Sequence, residues 1–202
     1  MSAAFGRDAL LDAFDQIGRA AALVGTKLQI AVYGGSALML ASNFRFATED
    51  VDVSELEHPL PGWLEAVVSK IARENGWQDD WFNDGVAFHL SSLADRALDH
   101  LEFGTFPRDD STSPGLVVWV PSAEYLLALK LKAVRVTDPI RGETERLDIL
   151  NLMKVVGIST AEEAIALLGR YFPVSAASSE KQRFLLKNMN REGGVDAPEY
   201  PR

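Results

Sequence analysis

The sequence contains no cysteine, which excludes disulfide bonds, thiolate metal sites and cysteine nucleophiles. Histidine is also scarce: His58, His89 and His100 lack the spacing of a zinc site, so each is expected to be a surface or hydrogen-bonded residue. No apolar run approaches the roughly 18–20 residues that a membrane-spanning helix needs. The N-terminal residues lack the layout of a signal peptide. We therefore expect a cytoplasmic protein with no membrane partner.

Basic residues are fewer than acidic ones: the sequence has 20 Lys and Arg against 29 Asp and Glu, which gives a net charge of −9. This balance argues against a broad nucleic-acid surface, since such binding depends on neutralising phosphates. A small basic partner, a basic groove and a nucleotide carried in with magnesium all remain open. The 202 residues are 47% hydrophobic, which is enough for one large domain or a domain with a helical extension.

The first 121 residues show the mixed periodicities of an α/β (α+β) core. Helical spacing over 7–24 places one set of apolar residues on a single face: Leu10, Leu11, Phe14, Ile17, Ala21 and Val24. The remaining predicted elements are strands 28–33, 50–56, 99–106 and 116–120, with helices 36–43 and 64–74. Three closely spaced aromatic residues, Trp77, Trp81 and Phe82, are expected to pin a loop to the core.

Residues 122–190 are predicted to form an all-helical subdomain. Ser122 is a plausible N-cap for a helix over 123–135, and helices over 143–156 and 179–190 follow from the apolar spacing. Thr160 begins a further helix, with Glu163 completing a capping box. The polar stretch 191–202 is predicted to be a disordered tail.

A glycine turn and a pair of aspartates carry the most chemical information. Gly34 and Gly35 lie where a predicted strand meets a helix, and Ser36 follows them. Glycines let backbone amides approach a phosphate closely, and a helix N-terminus favours an anion. Asp50 and Asp52, at positions i and i+2 of a strand, share one face and can converge on divalent cations. Taken alone, the Gly-Gly turn could simply end a strand before a helix. Taken alone, the Asp-x-Asp pair could simply be an exposed acidic face.

Together these segments resemble the signature of the nucleotidyltransferase superfamily related to DNA polymerase β. The pattern is an apolar-Gly-[Gly/Ser] turn followed by Asp-apolar-[Asp/Glu]-apolar, and here thirteen residues separate Ser36 from Asp50. Arg45 and Thr48 before the aspartates further resemble the branch of AbiEii abortive-infection toxins and allied bacterial proteins. The resemblance implies a small mixed sheet with flanking helices.

The resemblance also implies ligands and roles. A nucleoside triphosphate would be bound at Gly34, Gly35 and Ser36, with Arg45 and Thr48 in support. The cation would be Mg²⁺ or Mn²⁺, bound by Asp50 and Asp52. Such enzymes usually carry a third carboxylate on a later strand, and Glu102 in HLEFGTF is the local fit. A toxin role would imply an antitoxin protein as partner.

The helix SAEYLLALKLKAVR and the segment ETERLDILNLM resemble later elements of the same proteins. On a helical wheel Lys130 falls in the middle of an apolar face, whereas Lys132 lies nearly opposite and is expected to be solvated. Asp148 faces inward with Leu152 and Val155, so a Lys130–Asp148 pair would satisfy both charges. The pair would position the nucleotide or order the interface between the two halves, and on the enzyme hypothesis both residues count as catalytic. A snorkelling stem or a structural salt bridge is the alternative for Lys130.

Three functional hypotheses follow. The leading one is an enzyme that transfers a nucleoside monophosphate from a triphosphate to a hydroxyl of RNA, protein or a small molecule. The second is a catalytically degenerate scaffold that binds a nucleotide or a partner protein. The third is a structural interaction protein in which the motifs are coincidental.

Overall fold

A computed structural model describes residues 4–56, 60–109, 113–134, 139–189 and 194–201. The contacts divide the chain into two compact units. The first unit comprises Met1–Ala41, Arg45–Phe88 and His100–Val120, and the second comprises Ser42–Phe44, His89–Asp99 and Pro121–Arg202. The predicted fold class is confirmed: a mixed α/β half precedes a helical half, and the main division falls at residue 121.

The first unit is built on a five-stranded mixed sheet and a two-stranded sheet. Its strands are β1 (Phe5–Gly6), β2 (Leu28–Val32), β3 (Ala47–Thr48), β4 (Val51–Glu55), β5 (Phe82–Asn83), β6 (His100–Phe106) and β7 (Leu116–Pro121). Its helices are α1 (Arg7–Leu23), α2 (Gly34–Ala41) and α3 (Gly62–Asn75), and a 3₁₀ turn spans Gly85–His89.

The five-stranded sheet has the order β5-β4-β2-β7-β6, and β1 pairs with β3 separately. Strand β2 is antiparallel to β4 and parallel to β7, while β4 is parallel to β5. Val51 and Val53 are fully buried on one face of β4, and Ile30 and Val32 are equally buried on β2. Because successive side chains alternate between faces, Asp52 lies on the opposite face, as the sequence predicted.

Helix α1 packs against α3 and β6 through its predicted apolar face. Leu10, Phe14 and Ile17 have no exposed surface, but Val24 is 53% exposed because the helix ends at Leu23. The aromatic cluster also behaves as predicted. Trp77 stacks on Phe5 at 4.1 Å between ring centroids, and Trp81 is fully buried.

The second unit contains helices from residue 96 onward. They are α4 (Arg96–Asp99), α5 (Ala123–Ala133), α6 (Pro139–Val156), α7 (Ala161–Tyr171), α8 (Pro173–Ala177) and α9 (Glu180–Asn188). Two predicted caps are confirmed: Tyr125 N donates to Ser122 Oγ, and Thr160 with Glu163 forms a complete capping box. Hydrogen bonds from backbone N–H groups lower the pKa of Glu163, as a capping carboxylate requires.

Helix α6 begins at Pro139, earlier than the predicted start at residue 143. Proline suits the first turn of a helix because its φ is preset and its missing N–H is not needed there. Residues 135–138, part of the predicted connecting loop, lie outside the described residues. Among the residues that the structure describes, no helix combines the length and apolarity that crossing a membrane requires.

Two segments from the first half of the sequence belong to the second unit, which the single predicted boundary at residue 121 does not anticipate. The segment His89–Asp99 is bound by Ser91 Oγ, which donates to Tyr171 O at 2.6 Å, and by Tyr171 Oη, which donates to Asp99 Oδ1 at 2.6 Å. Burial, followed by this contact with Asp99, raises the pKa of Tyr171. These bonds hold the segment within the second unit.

The prediction of a disordered tail over 191–202 is wrong for the described residues 194–201. Tyr200 is buried and its Oη donates to Pro121 O at 2.8 Å. Asn43 is held in both directions, because its Nδ2 donates to Ala197 O and its Oδ1 accepts from Glu199 N. The polar composition of the tail therefore supplies partners for the surface rather than keeping the chain in solvent.

Candidate functional site

The candidate site is built around the turn between β2 and α2. Gly34 has φ of +66°, a left-handed conformation that glycine adopts at little cost, which explains its place at this turn. Ala37 N donates to Tyr33 O and makes the first helical hydrogen bond of α2. The N–H groups of Gly34, Gly35 and Ser36 therefore lack acceptors within the helix, as at every helix N-terminus. The eight-residue helix directs its positive dipole end toward this turn.

Asp52 lies directly against the turn. A Cβ added to Gly34 would stand only 2.8 Å from Asp52 Oδ2. The backbones are joined as well, because Tyr33 N donates to Asp52 O at 2.9 Å. The antiparallel pairing of β2 with β4 brings the end of one strand to the start of the other. The structure thus brings together the glycine turn and the second aspartate.

Asp50 approaches the same turn through Thr48. Thr48 is buried and its Oγ1 donates to Asp50 O at 3.0 Å, with Asp50 Oδ1 at 3.4 Å. The same Oγ1 would lie 3.4 Å from a Cβ added to Gly35. Asp50 itself is exposed and precedes β4 by one residue. The Asp52 carboxylate therefore lies against Gly34, whereas Asp50 is connected to the turn only through the Thr48 hydroxyl near Gly35.

Arg45 supplies the cationic group of this cluster. Its Nη2 would lie 3.1 Å from a Cβ added to Gly35, and its Nε donates to Ala47 O at 3.0 Å. A guanidinium presents donors in a fixed fork that suits phosphate oxygens. The predicted residues Gly34, Gly35, Arg45, Thr48, Asp50 and Asp52 are thus gathered at one place in the first unit.

Ser36 differs from its predicted role. The residue is only 1% exposed, and its Oγ donates to Tyr33 O at 2.8 Å. A serine in the first turn of a helix readily bonds a nearby backbone carbonyl in this way. The hydroxyl therefore stabilises the turn. Only the backbone N–H of Ser36 is left as a hydrogen-bond donor for an anion.

Glu102 does not join the aspartates. It lies on β6, the far edge strand, whereas Asp52 lies on β4, with β2 and β7 between them. Three strand spacings amount to about 14 Å, which is too far for the two carboxylates to bind the same cation or the same two-metal site. The predicted third metal ligand is therefore wrong on position. Among the described residues, no group of three or more His, Cys, Asp or Glu side chains is placed to hold a metal ion.

Asn83 is the residue that the sequence analysis missed. It lies on β5 and is paired in register with Asp52 of the neighbouring parallel strand. Paired residues on adjacent strands point to the same face, so the Asn83 amide stands beside the aspartate. Its Oδ1 accepts from Gly85 N at 3.1 Å. The position next to Asp52 thus carries a neutral amide instead of a carboxylate.

The donor set fits a magnesium ion. Mg²⁺ prefers oxygen ligands and is commonly bound by one or two protein carboxylates plus the phosphates of a substrate. Asp50 and Asp52 provide the carboxylates, and both are accessible to some degree. A site of this type depends on the substrate to complete its coordination.

A groove of about 700 Å³ borders β5 on the side of α3. Its lining includes Asn83 and an apolar floor of Leu64, Val68 and Phe82. Three acidic side chains and one basic side chain also line it: Glu65, Asp79, Asp84 and Arg73. The groove lies one strand away from Asp52, in the same unit.

The predicted pair of Lys130 and Asp148 is confirmed. Lys130 Nζ lies 2.8 Å from Asp148 Oδ2, and the two side chains are only 15% and 4% exposed. The pair joins α5 to α6 within the helical unit. Lys132 is not simply solvated as predicted, because its Nζ donates to His89 O at 2.8 Å and lies 4.3 Å from the Phe172 ring centroid. Burial lowers the pKa of Lys132.

The histidines behave as ordinary residues where the structure describes them. His100 is buried, and a hydrogen bond of 2.8 Å joins its Nε2 to Tyr33 Oη. His89 is exposed, and its carbonyl accepts from Lys132. His58 lies outside the described residues. Comparisons with protein-family models, curated proteins and solved structures found no match to this chain.

Proposed function

We propose that the protein is a metal-dependent nucleotidyltransferase that moves a nucleoside monophosphate from a nucleoside triphosphate to a hydroxyl acceptor. The observation that carries the proposal is the convergence on one turn. Gly34 contacts the Asp52 carboxylate, and Gly35 lies beside both Arg45 and the Thr48 hydroxyl that reaches Asp50. A glycine turn that served only to end a strand would not require two carboxylates, a guanidinium and a helix N-terminus to lie close together.

The triphosphate would bind at the N-terminus of α2. The backbone N–H groups of Gly34, Gly35 and Ser36 would donate to phosphate oxygens, and the helix dipole would favour the negative charge. Arg45 would add a charged fork at the same turn. The absence of a Cβ at Gly35 allows the backbone to lie close to the Arg45 guanidinium, since an added Cβ would stand 3.1 Å from Arg45 Nη2.

Asp50 and Asp52 would bind Mg²⁺ or Mn²⁺ together with the phosphates. The cation, when bound, would neutralise the charge that develops on the reacting phosphoryl group and on the leaving pyrophosphate. The acceptor oxygen would attack the α-phosphorus, the bond to the bridging oxygen of pyrophosphate would break, and Asp52 or Asp50 would take up the hydroxyl proton. Thr48 would hold Asp50 in position through its hydroxyl.

The acceptor would approach from the groove beside β5. Three carboxylates against one guanidinium give this lining an acidic balance, which disfavours a polyanion. The net charge of −9 points the same way. RNA is therefore the least favoured acceptor among RNA, a protein side chain and a small molecule.

A catalytically degenerate nucleotide-binding scaffold is the second candidate. The position of Glu102 on the far edge strand and the neutral Asn83 beside Asp52 favour it, because both leave the cation with fewer carboxylates. A toxin role with an antitoxin partner would be compatible with the enzyme and rests on the sequence resemblance.

Incubation with each α-labelled nucleoside triphosphate, Mg²⁺ or Mn²⁺ and a cell extract tests the proposal. We expect label transfer by the wild-type protein and a loss of about 100-fold or more in Asp52→Asn, because a carboxylate that binds the cation is removed. Glu55→Gln is the matched control, since Glu55 lies on the same strand away from the glycine turn.

Three results would discriminate the candidates. Label transfer in the wild type and in Glu55→Gln, but not in Asp52→Asn, supports the enzyme. Nucleotide binding in equilibrium dialysis without any labelled product supports the scaffold. Absence of both binding and transfer with all four triphosphates rejects both candidates.

A further inference from the structure

Tyr33 is the residue that links the candidate site to the rest of the sheet. Its N–H donates to Asp52 O, and its carbonyl accepts from both Ala37 N and Ser36 Oγ. It immediately precedes Gly34, whose left-handed conformation forms the turn. The backbone of Tyr33 therefore fixes the second aspartate, the turn and the start of α2 at the same time.

The side chain of Tyr33 is anchored at a distance in the sequence. Tyr33 is 2% exposed and His100 is 7% exposed, and a hydrogen bond of 2.8 Å joins Tyr33 Oη to His100 Nε2. The two rings meet edge to face, with centroids 5.9 Å apart. A buried hydroxyl needs a hydrogen-bond partner, so the pair has one preferred geometry. His100 belongs to β6, two strands away from β2.

We propose that His100 is a positioning residue for the nucleotide site, acting through the Tyr33 hydroxyl on the glycine turn. This role depends on the proposed function only for its effect on nucleotide binding. Loss of the bond removes one restraint on the Tyr33 ring, and a shift of the ring would carry the attached backbone of the turn and the Asp52 contact with it. A displacement of the order of 1 Å in such a site is enough to weaken ligand binding and reactivity strongly.

The first readout needs no ligand. Amide hydrogen exchange at Ala37 reports on the bond from Ala37 N to Tyr33 O. We expect His100→Leu to accelerate this exchange by roughly tenfold relative to the amide of Val53 in the adjoining strand. His100→Gln, whose side-chain amide reaches a similar position, is expected to restore most of the protection.

The second readout is the dissociation constant of the magnesium–nucleotide complex, measured by calorimetry. We expect His100→Leu to raise it by roughly tenfold and His100→Gln to remain within about threefold of the wild type. Phe106→Leu is the matched control, because Phe106 is also buried on β6 and its ring packs on Phe14. Its thermal midpoint should fall while Ala37 exchange and nucleotide affinity stay unchanged.

Tyr33→Phe keeps the proposal testable if His100→Leu does not fold, since it removes the same bond from the other side. A double-mutant cycle should show that the two substitutions are not additive. Wild-type Ala37 exchange in folded His100→Leu and Tyr33→Phe proteins would overturn the proposal. A wild-type protein that binds no nucleotide would reject the function proposed above, while the exchange experiment would still decide whether His100 holds the turn.

Discussion

Gly34 combines two constraints that no other residue type satisfies. Its φ of +66° strains any residue with a Cβ, and that Cβ would stand 2.8 Å from Asp52 Oδ2. We expect Gly34→Ala to lower the free energy of unfolding by about 1–2 kcal/mol from the backbone conformation alone. Displacement of the Asp52 carboxylate should weaken nucleotide binding in addition. Urea denaturation and nucleotide titration measure the two effects separately.

Gly25 supplies the control for this substitution. It has φ of +72°, close to that of Gly34, but a Cβ added there meets nothing within 4 Å. Gly25→Ala should therefore show a similar loss of stability with unchanged nucleotide affinity. Equal affinity in the two variants would contradict the assignment of Gly34 to the site.

Single residues show how far a motif can be interpreted from the sequence. The meeting of Gly34 with Asp52 could be predicted, because a strand, a short helix and a returning strand bring the two ends together. The direction of the Ser36 hydroxyl could not, since its choice between a ligand and Tyr33 O depends on the local backbone. The prediction that Glu102 joins the aspartates was wrong because the order of strands in a sheet is set by non-local pairing, which the sequence pattern does not show.

The salt bridge between Lys130 and Asp148 joins α5 to α6. Both side chains are largely buried, so removing one charge leaves the other without compensation. We expect Lys130→Met or Asp148→Leu alone to lower the free energy of unfolding by about 3 kcal/mol. The double variant should recover most of this loss, because two apolar side chains replace two buried charges. Chemical denaturation of the three variants measures the coupling.

The same variants address the predicted catalytic role of the pair. Arg170 and Glu124 form an exposed ion pair at 2.6 Å within the same unit, so Arg170→Met is a suitable control with little expected effect on stability. If the folded double variant Lys130→Met/Asp148→Leu binds the nucleotide as the wild type does, the role of the pair in positioning the nucleotide is rejected. Weaker binding in that variant alone would support the role.

The elements that the sequence predicted are those with long periodic patterns. Helices α1, α3, α5 and α7 carry apolar residues at regular spacing, and capping residues mark the end of α3 and the starts of α5 and α7. Strands β1, β3 and β5 have only two residues each, which is too short for any period. The failure to predict β5 had the largest consequence, because the position of Asn83 beside Asp52 was then not predicted either.

At the scale of the whole molecule, the C-terminal residues are part of the folded structure. Val195 is bound through its N–H, which donates to Asn151 Oδ1, and through its carbonyl, which accepts from Lys154 Nζ. Together with the Asn43 and Tyr200 contacts, these bonds tie residues 194–201 to the helical unit. Composition alone predicted disorder because it counts polar groups without showing that each one has a partner.

Tyr200 offers the sharpest test of this attachment. Its buried hydroxyl donates to Pro121 O, so we expect Tyr200→Phe to lower the free energy of unfolding by about 1 kcal/mol at neutral pH. Burial also raises the pKa of Tyr200 above its ordinary value of 10.0. The wild-type stability should therefore fall as the pH rises past about 10, where the unfolded chain loses a proton that the folded chain retains.

Tyr200→Phe should reduce that alkaline loss, although burial also raises the pKa of Tyr171 and part of the loss will remain. Pro201→Ala is the control, because Pro201 is exposed and should change neither the stability nor its pH dependence. Denaturation curves at pH 7 and pH 10.5 for the three proteins give the comparison. Identical curves for Tyr200→Phe and the wild type at both pH values would mean that the tail is detached in solution.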